Sequence, residues 1–339
     1  MTKVAIIGFG QQGQECYDLI KDVVQIVDLV DPRFSKKDEL KSPDDFLGDT
    51  HADVNGLFSK NTYDVGILCV PHAAHTETAI RLIENGRPII KEKPFAPTID
   101  EATTLLKKID KTGVPVLTVC QRSTSQLFVA AKAMLQSIGT PYAYVYRYFL
   151  SQPKTTGWRQ SKQIALGGVM LDMGYHIVDV TRNFFGSPSE VACASAFATE
   201  QMRNEGLEDY SSAQLFYRER GLVGNIILGR HYHQKMEHFE IFGTNGSIVV
   251  EPKKALRCSG LFSGEGNLIC DQEKGADLYR KQMIDYLEKI HDPEFARRNV
   301  LDHYKNVAIL DRIYRSGEEN GCYRPIVRPS TKQEQQPSV

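Results

Sequence analysis

Two short stretches of this 339-residue chain carry the residue types needed for proton transfer. Lys91-Glu92-Lys93-Pro94 follows the apolar run Ile89-Ile90, so its charges stand where a buried strand should end. Open α/β sheets bind ligands at the carboxyl edge of their strands, and a lysine held there can steer a proton or polarise a carbonyl. The tetrapeptide taken alone also reads as a charged surface loop. The second stretch runs Gly167-Gly168-Val169-Met170-Leu171-Asp172-Met173-Gly174-Tyr175-His176-Ile177-Val178-Asp179. A helix here sets Asp172 and His176 at i and i+4 on one face, with Asp179 continuing the stripe. Histidine exchanges a proton near neutral pH, and a carboxylate beside it orients the ring or holds a substrate hydroxyl. An ordinary polar helix face has the same spacing, but this one contains no Lys or Glu, and the glycine pair admits close approach of another group.

A third stretch supplies a partner for that chemistry. Gly8-Phe9-Gly10-Gln11-Gln12-Gly13 follows the apolar run Val4-Ala5-Ile6-Ile7 and precedes Cys16, Leu19 and Ile20 at helical spacing. Strand, glycine turn and helix in that order form a dinucleotide fingerprint. Gly8 permits the tight turn, Gly10 lets the backbone approach a pyrophosphate, and Gly13 lets helix and strand pack closely. About 20 residues on, an acid should bond the adenosine ribose. Asp28 and Asp31 both fit by distance, and Asp31 is preferred because it ends the strand just before Pro32. A carboxylate there repels a 2'-phosphate and favours NAD over NADP, with Arg33 next door softening that preference.

The elements that must position these groups follow from periodicity. Ile26 to Val30, Val65 to Val70, Ile89-Ile90 and Val114 to Val119 read as buried strands. Between them Thr76 to Glu84 reads as a helix, and Thr98-Ile99-Asp100-Glu101 forms a capping box that opens another through Leu105, Leu106 and Ile109. Residues 33–48 are polar and take no assignment. The alternation predicts a parallel, doubly wound sheet over residues 1–122. Beyond it come a helix over 126–138 and strand-like runs at 142–150, 191–198, 212–218, 222–229, 237–242 and 247–250, with a tight turn at Asn245-Gly246. The fold class expected is therefore α/β: a doubly wound N-terminal unit, then a C-terminal α+β unit over 123–326 on a largely antiparallel open sheet. Residues 327–339 carry no apolar pattern and read as a disordered tail.

A net charge of -1 gives no reason to expect nucleic acid or an anionic membrane as partner. No apolar run approaches the roughly 20 residues a membrane helix needs. Seven scattered cysteines without Cys-x-x-Cys spacing, and apolar residues from Val4 onward with no room for a cleavable signal, suit a reducing, cytoplasmic setting. His231 and His233 lack a third ligand, so no metal site is assigned.

The glycine turn, Cys69-Val70-Pro71-His72-x-x-His75, Lys91-Glu92-Lys93-Pro94 and Gly167-Gly168-x-x-x-Asp172-x-x-x-His176-x-x-Asp179 together resemble the Gfo/Idh/MocA family of sugar and cyclitol oxidoreductases, over residues 1 to about 325. The resemblance implies a Rossmann domain, a C-terminal sheet that forms a homodimer or homotetramer interface, and a substrate pocket between them. It implies that Lys93 is the catalytic lysine, with a cis bond to Pro94. His176 then transfers the proton, and Asp172 supports it or holds a substrate hydroxyl. Around the cofactor it sets the turn residues Gly8 to Gly13, Asp31, Pro71, His72, His75, Glu92, Lys93 and Gln121. His72 stands where the family often has Asn, and His75 also reads as a cap or packing residue. Gln121 and Arg122 line the pocket or serve as the domain linker. Trp158 and Arg159 stack on a sugar and bind an anionic or hydroxyl group, or are simply a buried Trp and a surface Arg. The activity implied is NAD-dependent hydride transfer at a secondary alcohol of a sugar, amino sugar or cyclitol. Two alternatives share the fold: a non-catalytic cofactor sensor, and a redox-neutral glycosidase or epimerase with tightly bound NAD.

Overall fold

The computed structural model describes residues 1–35, 40–60, 62–151, 155–251, 254–259, 266–271, 275–318 and 324–325. Its first unit alternates β1 (Lys3–Ile7), α1 (Gln11–Ile20), β2 (Gln25–Val30), β3 (Asp49–His51), α2 (Val54–Lys60), β4 (Val65–Leu68), α3 (His75–Glu84), β5 (Ile89–Glu92), α4 (Ile99–Thr112) and β6 (Val116–Val119). All six strands are parallel, in the order β3-β2-β1-β4-β5-β6. A parallel sheet is covered on both faces, which is why β1, β4 and β6 are apolar at nearly every position and β4 and β6 are buried throughout. The strand order reverses between β1 and β4, so the carboxyl ends of β1, β4, β5 and β6 open onto one crevice.

Thr98 caps α4, its Oγ1 accepting from the Glu101 N–H at 3.3 Å, and Gly113 closes that helix with φ +68°. The periodicity misses β3 and α2. Asp49-Thr50-His51 is strand by its pairing with β2 rather than by any apolar alternation.

The second unit contains α5 (Gln126–Ala133), β7 (Pro141–Phe149), α6 (Lys162–Ala165), α7 (Tyr175–Phe185), β8 (Glu190–Ala196), α8 (Glu200–Glu205), β9 (Tyr210–Tyr217), β10 (Leu222–Gly229), β11 (Met236–Gly243), β12 (Gly246–Glu251), β13 (Lys254–Ser259), β14 (Gly266–Asp271), α9 (Gly275–Lys289), α10 (Pro293–Glu318) and β15 (Arg324–Pro325). The nine strands form one sheet, β14-β13-β12-β11-β7-β10-β9-β8-β15, antiparallel except for the β7 and β10 pair. The helix expected over 126–138 stops at Ala133 and continues only as a 3₁₀ turn over Leu135–Ile138, because Gly139 turns the chain with φ +76° to pass Thr244 and Asn245. His231 and His233 lie in the bend after β10 rather than on a strand.

The chain then returns to the first sheet. Tyr279, Met283, Tyr286, Ile290 and Ala296, from α9 and the start of α10, bury against Val4, Ile6, Ile67 and Leu117. Arg280 ties α9 to α1 through Asp22 at 2.7 and 2.8 Å. Residues 327–339 lie outside the described residues. Among the described residues no helix is long and apolar enough to cross a membrane.

Candidate active site

The glycine turn shows which of its glycines the protein itself requires. Gly8 sits at φ +89°, and a Cβ there would stand 2.5 Å from the Cys69 carbonyl oxygen. A Cβ on Gly13 would stand 2.1 Å from the Gly8 carbonyl oxygen. Gly10 differs: the nearest atom to its Cβ would be an Arg33 nitrogen at 3.9 Å. The room beside Gly10 is thus not used by the fold. It lies at the N-cap of α1, whose first turn has no side-chain cap and no acidic residue. Orphan N–H groups and the positive end of the helix dipole meet there, so the residues fit a pyrophosphate.

Asp31 directly follows β2 and is 7 % exposed. Its Oδ2 accepts from the Phe9 N–H at 2.9 Å, and Arg33 grips both oxygens at 2.8 and 2.9 Å. Burial raises the carboxyl pKa, but the bonds from the Arg33 side chain and from the Arg33 and Phe9 backbone outweigh it and hold Asp31 below the usual range. Asp28 is wholly buried with its oxygens spent on His51 at 2.8 Å and Thr62 at 2.7 Å. Asp31 is the acid left at the strand end.

The charged tetrapeptide after β5 divides by role. Lys91 is buried, and its Nζ donates to the carbonyls of Pro94 and Phe95, each at 2.6 Å, closing the loop. Burial brings its pKa down to about 7. Glu92 lies beside Tyr279, and burial pushes its carboxyl up despite Tyr279 and Lys93. Lys93, in a cis bond to Pro94, reaches across the crevice: its Nζ donates to the Asp172 carbonyl at 2.8 Å and to Asp172 Oδ1 at 3.2 Å.

The segment carrying Asp172 is not the α-helix expected from the i, i+4 spacing. Met170–Gly174 is a π-helical turn, and α7 begins only at Tyr175. The wider turn separates Asp172 from His176, and no hydrogen bond joins them. Asp172 instead receives Arg159 Nε at 2.8 Å and Arg230 Nη2 at 3.1 Å on Oδ2. Burial raises its pKa, but Lys93, Arg159 and Arg230 hold it well below the usual range. The glycine pair serves the fold here. A Cβ on Gly168 would lie 2.2 Å from the Glu208 carbonyl oxygen, and Glu208 caps the turn by accepting from the Gly168 and Met170 N–H groups at 3.0 and 2.9 Å. Asp179 leaves the stripe for Asn306 at 2.7 Å.

His176 Nδ1 lies 3.4 Å from Cys120 Sγ at the end of β6. Burial, then the positive charges of Lys93 and Arg122, push the imidazole well below its ordinary value, so it is neutral near pH 7. Its Nε2 makes no hydrogen bond to a described residue. A neutral imidazole, a lysine ammonium and a carboxylate converging at the edge of a parallel sheet can accept a hydroxyl proton and stabilise the oxygen left behind.

The remaining candidates sort around this centre. Pro71 leads into a 3₁₀ turn over His72–Ala74. His72 is buried with Nδ1 bonded to the Ala165 carbonyl at 2.8 Å, its ring 4.8 Å from Trp158 at an edge angle, and burial brings it down to about 4. His75 is buried at the start of α3. Gln121, after β6, has a buried Oε1 without a partner, an acceptor open to an amide donor. Arg122 pairs with Glu237 and lies 4.3 Å over the Tyr148 ring, while Tyr146 donates to the same Glu237 at 2.7 Å. Arg159 stacks 4.3 Å over Trp158. The sequence reading missed Arg230, Cys120 and Glu237. Only Arg230 left a trace, as a charge directly ending the alternating run 222–229.

Two family models match the chain: residues 2–119 match an oxidoreductase family with an NAD-binding Rossmann fold, and residues 128–249 match the GFO/IDH/MocA C-terminal domain. Among curated proteins, the NADP(+)-named scyllo-inositol 2-dehydrogenase IolW of Bacillus subtilis is 26% identical over 256 residues, covering 72% of this chain and 70% of that one. Among solved structures, GenD2 from gentamicin A biosynthesis, in complex with NAD, superposes with TM-score 0.78 at 19% identity, covering 96% of this chain and 97% of that one. The WlbA dehydrogenase of Bordetella pertussis, in complex with NADH and UDP-GlcNAcA, superposes with TM-score 0.77 at 22% identity, covering 97% and 99%.

Proposed function

Because this chain belongs to the Gfo/Idh/MocA family of NAD(P)-binding oxidoreductases, we propose that it is an NAD-dependent dehydrogenase of a secondary alcohol on a sugar, amino sugar or cyclitol. Residues 1–122 hold the cofactor and residues 123–326 the substrate. The observation that carries this reading is the reach of Lys93 from the end of β5 to Asp172, with His176 on the next helix, beside a glycine turn whose spare room lies at Gly10.

Gly8 to Gly13 and the N-terminus of α1 would hold the pyrophosphate, Asp31 the adenosine ribose, and Gln121 the carboxamide. When bound, the nicotinamide supplies the hydride acceptor. His176 takes the hydroxyl proton at Nε2, with Nδ1 steadied by Cys120. Lys93 stabilises the developing alkoxide and relays the proton, and Asp172 holds Lys93 in place. Positioned acid–base help of this kind contributes typically about 10² to 10⁴ in rate. Asp31 favours NAD by repelling a 2'-phosphate, although Arg33 already neutralises part of that charge. The outer face of the nine-stranded sheet carries half-exposed Val145, Val223, Ile227 and Phe242, a surface suited to a second copy of the chain.

A panel of sugars, sugar phosphates, nucleotide sugars and inositols, read by the absorbance of reduced cofactor with NAD and then NADP, tests the proposal. It expects turnover of at least one secondary alcohol with NAD preferred. Preference for NADP by more than about tenfold would refute the cofactor assignment, and a substrate oxidised at a site other than a carbinol would refute the reaction.

A further inference from the structure

We propose that the substrate carries an anionic substituent, a carboxylate or a phosphate, held by Arg230 together with Arg159 beside Asp172. The inference rests on the dehydrogenase reading and narrows its substrate class.

The charges around Asp172 do not balance. Among the described residues three cations contact this one carboxylate: Lys93 Nζ at 3.2 Å, Arg159 Nε at 2.8 Å and Arg230 Nη2 at 3.1 Å. Among the described residues no other acid pairs with these guanidinium groups: Glu208 accepts from Gly168, Met170 and Tyr314, Asp209 is bonded to the Ala198 N–H at 2.9 Å and His231 at 3.2 Å, and Glu237 pairs with Arg122. One positive charge has an evident task, since Lys93 can stabilise an alkoxide. Two guanidinium groups around a single carboxylate exceed that need.

Arg230 is the sharper signal. Its side chain is only 1% exposed, yet its Nε and Nη1 have no partner among the described residues. Buried donors without partners are costly, and native structures rarely leave them so. Arg182, another well-buried arginine of the second unit, shows what a purely structural guanidinium looks like: Nε bonds Asn306 at 2.6 Å, Nη1 bonds Asp302 at 3.0 Å, and Nη2 lies 3.6 Å from Asp179. If Arg230 existed only to hold Asp172, its other nitrogens should be similarly occupied. It directly follows β10 and is tied there by its backbone N–H bond to the Asp209 carbonyl at 2.9 Å. A neutral hydroxyl could satisfy the donors but would leave the charge surplus. A carboxylate or phosphate oxygen satisfies both, and guanidinium binds either through charge-assisted hydrogen bonds. The cofactor pyrophosphate is not the anion required, because its cradle lies at the N-terminus of α1 in the other sheet.

Trp158, the only tryptophan in the chain, lies under Arg159 and reports on the site. The full-length protein saturated with NAD is titrated with matched ligands, following Trp158 fluorescence and, in parallel, heat of binding. Each set contains a neutral sugar or inositol, the corresponding sugar acid and the corresponding phosphate, so the acid and phosphate arms identify which anion the site takes. The expected result is that one anionic member binds at least about tenfold more tightly than its neutral partner, the range for a charged hydrogen bond. This ratio should collapse in Arg159→Gln and Arg230→Met and survive partly in Arg230→Lys. Should Arg230→Met not fold, the half-exposed Arg159→Gln carries the test. No anionic ligand binding more tightly than its neutral partner, or an unchanged ratio in folded Arg159→Gln and Arg230→Lys, overturns the proposal. Turnover of neutral polyols without any acid preference would refute this inference alone. Anion preference without reduced cofactor from any ligand would refute the dehydrogenase reading instead.

Discussion

Asp31 and Asp172 both stand at the crevice above the parallel sheet, both are largely buried and both are held by arginine, yet they are built in opposite ways. Asp31 is matched locally, by Arg33 two residues on and by the Phe9 N–H of the turn it supports. Asp172 is matched at long range, by cations from positions 93, 159 and 230, and is left with more positive charge than it can balance. The pyrophosphate and ribose end of the cofactor side is therefore matched within the first 33 residues. The substrate side is assembled from four segments and is electrostatically open. Changes on the first should alter cofactor binding without touching the chemistry, and changes on the second should do the reverse.

The largest separation is expected from His176→Ala, which should lower kcat/KM by on the order of 10² to 10⁴ while leaving the dissociation constant for NAD unchanged, as read by steady-state rates and cofactor titration. In the wild-type enzyme the acid limb of the kcat/KM profile should fall below pH 6.5, because burial depresses the pKa of this histidine.

Stability should show the same division under acid. His72 and His303 are held down to about 4, from an ordinary 6.5, first of all by burial. Between those values the unfolded chain binds protons that the folded one refuses, so their contribution is complete above pH 6.5 and is lost as pH falls through 4. Each amounts to on the order of 3 kcal/mol. Denaturant midpoints measured from pH 7 to 4 should fall steeply, and His72→Gln should flatten part of that slope. A midpoint independent of pH over this range would contradict the burial argument.

The glycines sharpen the comparison within the cofactor side. Gly13→Ala meets backbone at 2.1 Å and should cost about 1 to 3 kcal/mol of folding stability. Gly10→Ala meets nothing closer than 3.9 Å and should leave stability within about 0.5 kcal/mol while weakening NAD binding. Equal melting losses in the two variants would remove the evidence that the room at Gly10 is kept for a ligand. The smallest effect is expected at Asp31→Asn, which should shift the NAD to NADP preference by about tenfold towards NADP, by removing the repulsion and freeing Arg33.

How much of this could be read from sequence follows the same contrast. The turn after β1, the capping box at Thr98 and the acid at Asp31 are local devices in which residue type and spacing carry the geometry. The turn between β11 and β12 came out one residue early, at Thr244-Asn245, with Gly246 already paired to Gly243. β3 stayed hidden because a three-residue polar strand has no periodicity of its own. Lys93, Asp172 and His176 were legible as types, but not the π-turn that separates the last two, since one extra residue in a turn leaves no pattern in polarity. Arg230 and Cys120 were invisible as site residues because sheet topology, not sequence distance, brings β10 and β6 to this crevice.

Lys93 links the end of β5 to Asp172, and the proposed chemistry depends on that link. Its most direct test is to measure, in parallel on Lys93→Ala, turnover by reduced-cofactor absorbance on the best substrate of the panel and NAD affinity by titration. The prediction is a loss of turnover of at least about 10² with NAD affinity unchanged. A Lys93→Ala enzyme that keeps wild-type turnover would contradict the account.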